Sequence, residues 1–170
     1  MGIIQQLSYT VPSPNAAQRA MWHVSSSRAG AWFFARYLPP ADRALLRLSG
    51  GKITLAGLTA GIPVLTITTI GARSGARRTS PLLGVPFGDD IAIIGTHFGR
   101  TTTPGWYYNL CAHPSAEVTF GATTVTATAR EANDDEWQPI WDGARRIYAG
   151  YDAYAARITG RKIHIMLLSC

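Results

Sequence analysis

The sequence predicts a mainly β, α+β protein: a small antiparallel barrel or strongly curled sheet, with helices before, between and after the strands. Three observations carry this reading. About six short segments alternate apolar and polar residues with period two. Hairpin-type turns, such as Gly88-Asp89-Asp90 and Gly121-Ala122, join several of them. The 170 residues, 46% hydrophobic and 15% charged, are enough for one real core and too apolar for a disordered chain. Barrel closure would remove the edges that such short strands leave open.

The elements follow in order. Asn15–Leu38 reads as a helix ended by Pro39-Pro40, and Ala41–Leu48 as a second, stopped at Gly50-Gly51. The first is rich in aromatics (Trp22, Trp32, Phe33, Phe34, Tyr37), carries three arginines and has no acid. Such a helix can lie on a membrane surface or cover a groove. Val64–Ile70 is a strand with Leu65 and Ile67 on one face and threonines on the other. A glycine-rich turn, Gly71–Gly75, leads to strand Thr79–Phe87, and the Gly88 turn to strand Ile91–His97. Pro104 opens a short helix ending near His113-Pro114. Strands Ala116–Phe120 and Thr123–Glu131 come next. Asn133 and Glu136 form a capping-box start for helix Asp134–Ala149. Gly150 interrupts it before Tyr151–Ile158, and Lys162–Leu168 is the last strand.

Composition excludes several classes. Cys111 and Cys170 cannot make a disulfide framework, and the scattered histidines at 23, 97, 113 and 164 show no metal-ligand spacing, so no metal is expected. The uncharged stretch between Lys52 and Arg73 has the length of a membrane span. Its glycines, Pro63 and threonines argue against one. Met1–Gln18 has no basic n-region, so the expected location is cytoplasmic. The net charge of +6 divides into +8 over residues 1–88 and −2 over residues 89–170, and 14 of the 16 basic residues are arginine. Arginine suits bidentate contact with phosphate or carboxylate, which points to an anionic partner.

Three motifs carry chemistry. Thr68–Pro81 gathers Arg73, Arg77 and Arg78 with Ser74 around Gly71 and Gly75. Glycines at a turn let backbone N–H groups face one concavity, and the arginines add charge-assisted bonds, although an ordinary basic hairpin tip has the same composition. The segment lacks the pattern of a P-loop or a dinucleotide fingerprint. Gly105–Asn109, GWYYN, places aromatics at a helix start, with Trp106 either core or beside a ligand. Tyr148, Tyr151 and Tyr154, at spacings of three, can bring hydroxyls to one side. No nucleophile–base pair stands out. Anion contacts plus aromatics, without an intrinsic reactive group, indicate chemistry carried by a bound cofactor.

Taken together, these segments resemble the deazaflavin-dependent nitroreductase and F420-dependent quinone reductase family of actinobacteria. The resemblance lies in Thr68–Leu82, Pro104–Pro114 and Tyr148–Tyr154, in the family's order and spacing. It implies a split β-barrel like that of flavin reductases, over residues 53–170, preceded by a helical extension, residues 1–52. It implies coenzyme F420, whose phosphate and oligoglutamate tail would engage Arg73, Ser74 and Arg78. Ala72 stands where the family usually has Arg, and Arg77 where it has Pro, so Arg77 becomes a replacement donor for the tail. Pro81, Leu82 and Thr96-His97-Phe98 would hold the ring, partly through backbone groups, with Trp106 beside it. Tyr148, Tyr151 and Tyr154 would frame the substrate pocket, and Tyr151 would hydrogen-bond the acceptor or deliver a proton. The implied reaction is hydride transfer to a small hydrophobic electron acceptor: an enone, a quinone or a nitroaromatic.

The rival readings are the same barrel with FMN, another flavin or haem, and a carrier that binds F420 without catalysis. Nucleic acid is not expected, because the basic residues are not interleaved with aromatics on one sheet face. The basic aromatic helix leaves peripheral membrane association open, and split barrels often pair as homodimers.

Overall fold

Along Val64–Ile70 every second side chain (Leu65, Ile67 and Thr69) is buried, as a strand with one face on a core requires. A computed structural model describes residues 1–48 and 61–170. Strands β1 (Val64–Ile70), β2 (Arg77–Phe87), β3 (Asp90–Ile94), β4 (Ser115–Phe120), β5 (Thr123–Glu131) and β6 (Ile165–Ser169) close a barrel in the order β1-β2-β3-β6-β5-β4. All neighbours are antiparallel, and β1 closes on β4 through the Ile67–Val118 pair. The expected barrel is therefore present.

β3 and β6 are buried on both faces, which is why they read as nearly continuous apolar runs. Inward, Ile91, Ile93, Met166 and Leu168 meet Leu65, Ile67, Val118 and Ala127. Outward, Ala92, Ile94, Ile165 and Leu167 meet Ile140, Trp141 and Ala144 of helix α5 (Asp134–Ile147) and the tyrosines of helix α6 (Gly150–Ala155) and the residues before it. Asn133 and Glu136 form the expected capping box on α5, each side chain 2.9 Å from the other's backbone nitrogen. Helix α4 (Gly105–Ala112) buries Trp106 and Leu110 against the barrel interior.

The N-terminal region departs from expectation. A short helix, α1 (Ile3–Leu7), fills the barrel core with Ile3 and Leu7, both fully buried. Tyr9 follows it inward, and its hydroxyl lies 2.9 Å from the Pro63 carbonyl and 2.8 Å from that of Gly84. The single helix expected over Asn15–Leu38 is divided into α2 (Ala16–Ser26) and α3 (Arg28–Leu48). The break falls at Ser27, whose backbone is extended and whose Oγ accepts the amide of Gly30 at 3.0 Å, as an N-cap does. Pro39-Pro40 removes two amide donors without ending α3. The Gly50-Gly51 stop and the boundary at residues 52–53 lie outside the described residues. β3 ends at Ile94 rather than His97, because the chain turns left-handed: φ is +49° at His97, +56° at Phe98 and +78° at Gly99.

Candidate active site

A cavity of about 1260 Å³ lies between the turn after β1, strand β2, the Thr96–Phe98 turn, α4, the α2–α3 hairpin and the tyrosines. Its lining includes Arg73, Ser74, Arg78, Pro81, Leu82, Thr96, His97, Phe98, Trp106, Tyr148, Tyr151 and Tyr154. Residues far apart in sequence thus share one space. Arg77 is the exception. It points to β4 and forms a two-pronged ion pair with Glu117, Nη1 to Oε1 at 3.1 Å. Adjacent residues of β2 face opposite sides, and on its side Arg77 is drawn to the Glu117 carboxylate of β4, whereas Arg78 lines the cavity.

At the basic end, the Gly71 amide donates to Ala76 and the Gly75 amide to Gly71, both at 2.8 Å. Gly75 has φ +64°, a backbone conformation that glycine adopts without strain. Asn109 of α4 ties this turn to the barrel, its Oδ1 accepting the Ala72 amide and its Nδ2 donating to Thr69 Oγ1, each at 3.0 Å. Asn109 stands inside the GWYYN motif, where neither spacing nor residue type marks it for this role. Among the described residues, neither Arg73 nor Arg78 has an ion-pair partner, and no carboxylate lines the cavity.

The middle is built on the left-handed turn. Such backbone costs a non-glycine residue about 1 kcal/mol or more. Arg161 offsets this with five hydrogen bonds to carbonyls at and around the turn. His97 Nδ1–H donates to the Thr102 carbonyl at 3.0 Å. Burial, with the charges of Arg100 and Arg161, pushes the His97 imidazole below its usual pKa despite that bond, so it is neutral at pH 7.

The far wall holds the tyrosines. Tyr148 caps the end of α5, while Tyr151 and Tyr154 lie on α6. The Tyr148 and Tyr154 hydroxyls are 3.0 Å apart, and Ser25 Oγ of α2 is 2.7 Å from that of Tyr148. Tyr154 also donates to the Ser25 carbonyl at 3.4 Å, and Arg157 to the Ser26 carbonyl at 2.7 Å. These contacts hold the α2–α3 hairpin over the cavity. No sequence signal marked Ser25. The Tyr151 hydroxyl, by contrast, has no hydrogen-bond partner among the described residues. Burial pushes the Tyr151 and Tyr154 phenols far above the usual tyrosine range, so both stay protonated.

Fold and site together define a split-barrel oxidoreductase of the flavin-reductase type. Residues 42–169 match the F420H(2)-dependent quinone reductase family, and the chain belongs to that family. An F420H(2)-dependent quinone reductase of Mycobacterium tuberculosis H37Rv is 31% identical over 110 residues, covering 63% of this chain and 73% of that protein. A solved F420-H2 dependent reductase, FDR-A, superposes with a TM-score of 0.57 at 32% identity, over 62% of this chain and 93% of its own. A second solved structure, described as a domain-swapped dimer, gives a TM-score of 0.58 at 29% identity, over 74% of this chain and 93% of its own. The protein is therefore an F420-dependent oxidoreductase, and F420 rather than FMN is the family's cofactor. Among the described residues, the cavity fits an elongated anionic cofactor, with unpaired arginines at one end, apolar walls in the middle and no carboxylate.

Proposed function

We propose that the protein reduces a small hydrophobic electrophile: a quinone, an enone or a nitroaromatic. The observation that carries this reading is Tyr151, a buried phenol lining the cavity wall whose hydroxyl no group of the described residues engages. Reduced F420, when bound, supplies the hydride. Arg73, Ser74 and Arg78 hold its phosphate and tail by charge-assisted bonds. Pro81, Leu82, Trp106 and the backbone of Thr96–Phe98 hold its ring and exclude water from it. Tyr148 and Tyr154 are occupied with each other and with Ser25, and they fix the wall. Tyr151 stays protonated and donates a hydrogen bond to the acceptor oxygen, stabilising the charge that develops there.

Titrating the apoprotein with F420 and FMN in parallel, and following F420H2 oxidation against quinones, enones and nitroaromatics, tests the assignment. Tyr151→Phe should lower kcat by about a hundredfold and leave the F420 Kd nearly unchanged. Unaltered turnover would remove Tyr151 from the mechanism.

The N-terminal helices support a finer reading of location. No helix of the described residues is long and apolar enough to cross a membrane. The α2–α3 hairpin nevertheless exposes Val24, Trp32, Phe33 and Tyr37 together with Arg19, Arg28 and Arg36, and its first acid is Asp42. We infer peripheral contact with an anionic membrane surface, where aromatic side chains enter the headgroup region and arginines meet lipid phosphate. Co-sedimentation with anionic but not zwitterionic vesicles is the expected result. A homodimer has one support, the domain-swapped neighbour, and light scattering tests it directly.

A further inference from the structure

Arg161 belongs to none of the three motifs, yet its guanidinium is the most fully committed in the barrel region. It stands in the loop between α6 and β6. All five of its N–H donors are used, every one on a main-chain carbonyl. Nε and Nη2 both reach Arg100 at 3.1 Å, Nη2 reaches Thr96 at 3.0 Å, and Nη1 reaches Gly95 at 3.0 Å and Lys162 at 3.1 Å. Three of the accepting residues, Gly95, Thr96 and Arg100, bracket the left-handed run at His97, Phe98 and Gly99.

The run has other constraints. The Gly99 amide donates to Thr96 and the Arg100 amide to His97. A Cβ on Gly99 would crowd the Tyr154 carbonyl and Arg157, so the turn sits tightly on α6. Thr96 is right-handed helical and His97 left-handed, a succession that directs consecutive N–H groups into one concavity. The amides of His97 and Phe98 are left out of the turn's internal hydrogen bonds among the described residues. Those same residues line the cavity.

We infer that Arg161 is a positioning residue for the cofactor ring: it gathers the carbonyls on both sides of the left-handed turn and so fixes the Thr96–Phe98 backbone in the cavity wall. A planar five-donor fork can do this and an ammonium cannot, because lysine offers three donors from a single point. The inference rests on the reading that Thr96–Phe98 holds the ring, and the test separates the two.

The experiment measures F420 affinity of the apoprotein by fluorescence titration, with amide hydrogen exchange of residues 95–100 in the absence of cofactor. Arg161→Lys and Arg161→Ala should each weaken F420 binding by about tenfold or more and speed exchange in the turn. Millimolar guanidinium should restore affinity to Arg161→Ala and not to Arg161→Lys. If Arg161→Ala fails to fold, Arg161→Lys alone decides the point. A lowered melting temperature with unchanged F420 affinity would overturn the positioning role. Amide exchange of the native chain with F420 added is the control: no new protection of His97 and Phe98 there would overturn the ring reading, whereas new protection there with intact affinity in both Arg161 variants would overturn only the inference.

Discussion

Gly150 shows how tightly single residues set this wall. A Cβ there would fall on the ring and hydroxyl of Tyr148. The glycine therefore lets α6 begin directly against the preceding tyrosine, and the three rings pack with centroids 5.9 to 6.5 Å apart. Gly150→Ala should push the Tyr148 ring aside, break its bonds to Ser25 and Tyr154, and lower kcat and the melting temperature together while F420 affinity holds. Fluorescence titration beside steady-state kinetics checks the split, and a variant with native kcat would contradict the packing argument. At this scale the sequence was legible through its motifs, because Arg73, Arg78, Trp106 and Tyr151 stand in recognisable spacing. It was illegible where a residue acts through geometry alone. Arg77 and Arg78 look equivalent in sequence, and only the folded barrel sends one to Glu117 and the other to the cavity. Ser25 and Arg161 carry no pattern at all.

Helix α5 supports that wall from behind: Trp141 packs edge-on against Tyr151 at 5.7 Å, and the N-terminal turn of the helix is capped by Asn133 and Glu136. A bidentate bond from Arg130, then the Asn133 amide, holds the Glu136 carboxyl down to about 2. Since this folded value lies below the unfolded one of about 4.3, the contribution is fully present above that pH and is lost as pH falls through about 2. Glu136→Ala should cost about 1 kcal/mol at neutral pH, as lost caps do, and should flatten the acid limb of the stability curve. Urea midpoints taken between pH 2 and pH 7 measure both effects. The capping box was readable because it is local: two residues three apart satisfy each other's amides. The Ser27 break was not, since Pro39-Pro40 is the stronger sequence signal for a helix end, yet the helix runs through that pair. The αL turn at His97–Gly99 was hidden for a related reason, because two of its three residues are not glycine.

Across the whole molecule, the strands and the closed barrel followed from alternation and short turns, while the order β3-β6-β5-β4-β1 around the barrel has no local signal and α1 has none either, because one helical turn has no measurable period. Its burial makes it part of the barrel: Leu7→Ala should cost about 3 kcal/mol, read as a lower thermal midpoint. Six of the nine basic residues behind the charge split have a place in the structure. Of the first half's excess of +8, Arg73 and Arg78 stand unpaired at the cavity, Arg77 is neutralised by Glu117, and Arg19, Arg28 and Arg36 lie exposed on the helices above. Arg73 and Arg78 are solvent-exposed, so their attraction for an anionic tail is screened by salt over a Debye length of about 8 Å at physiological ionic strength. F420 affinity should therefore weaken steadily as sodium chloride rises. Arg73→Ala and Arg78→Ala should each lower affinity and shallow that salt dependence, because each removes one attracting charge from the end of the cavity. Arg77→Ala should leave both nearly unchanged, since its guanidinium is already spent on Glu117 and faces away. Equal effects from all three variants would mean that overall charge, rather than the placement of two arginines, draws the cofactor in.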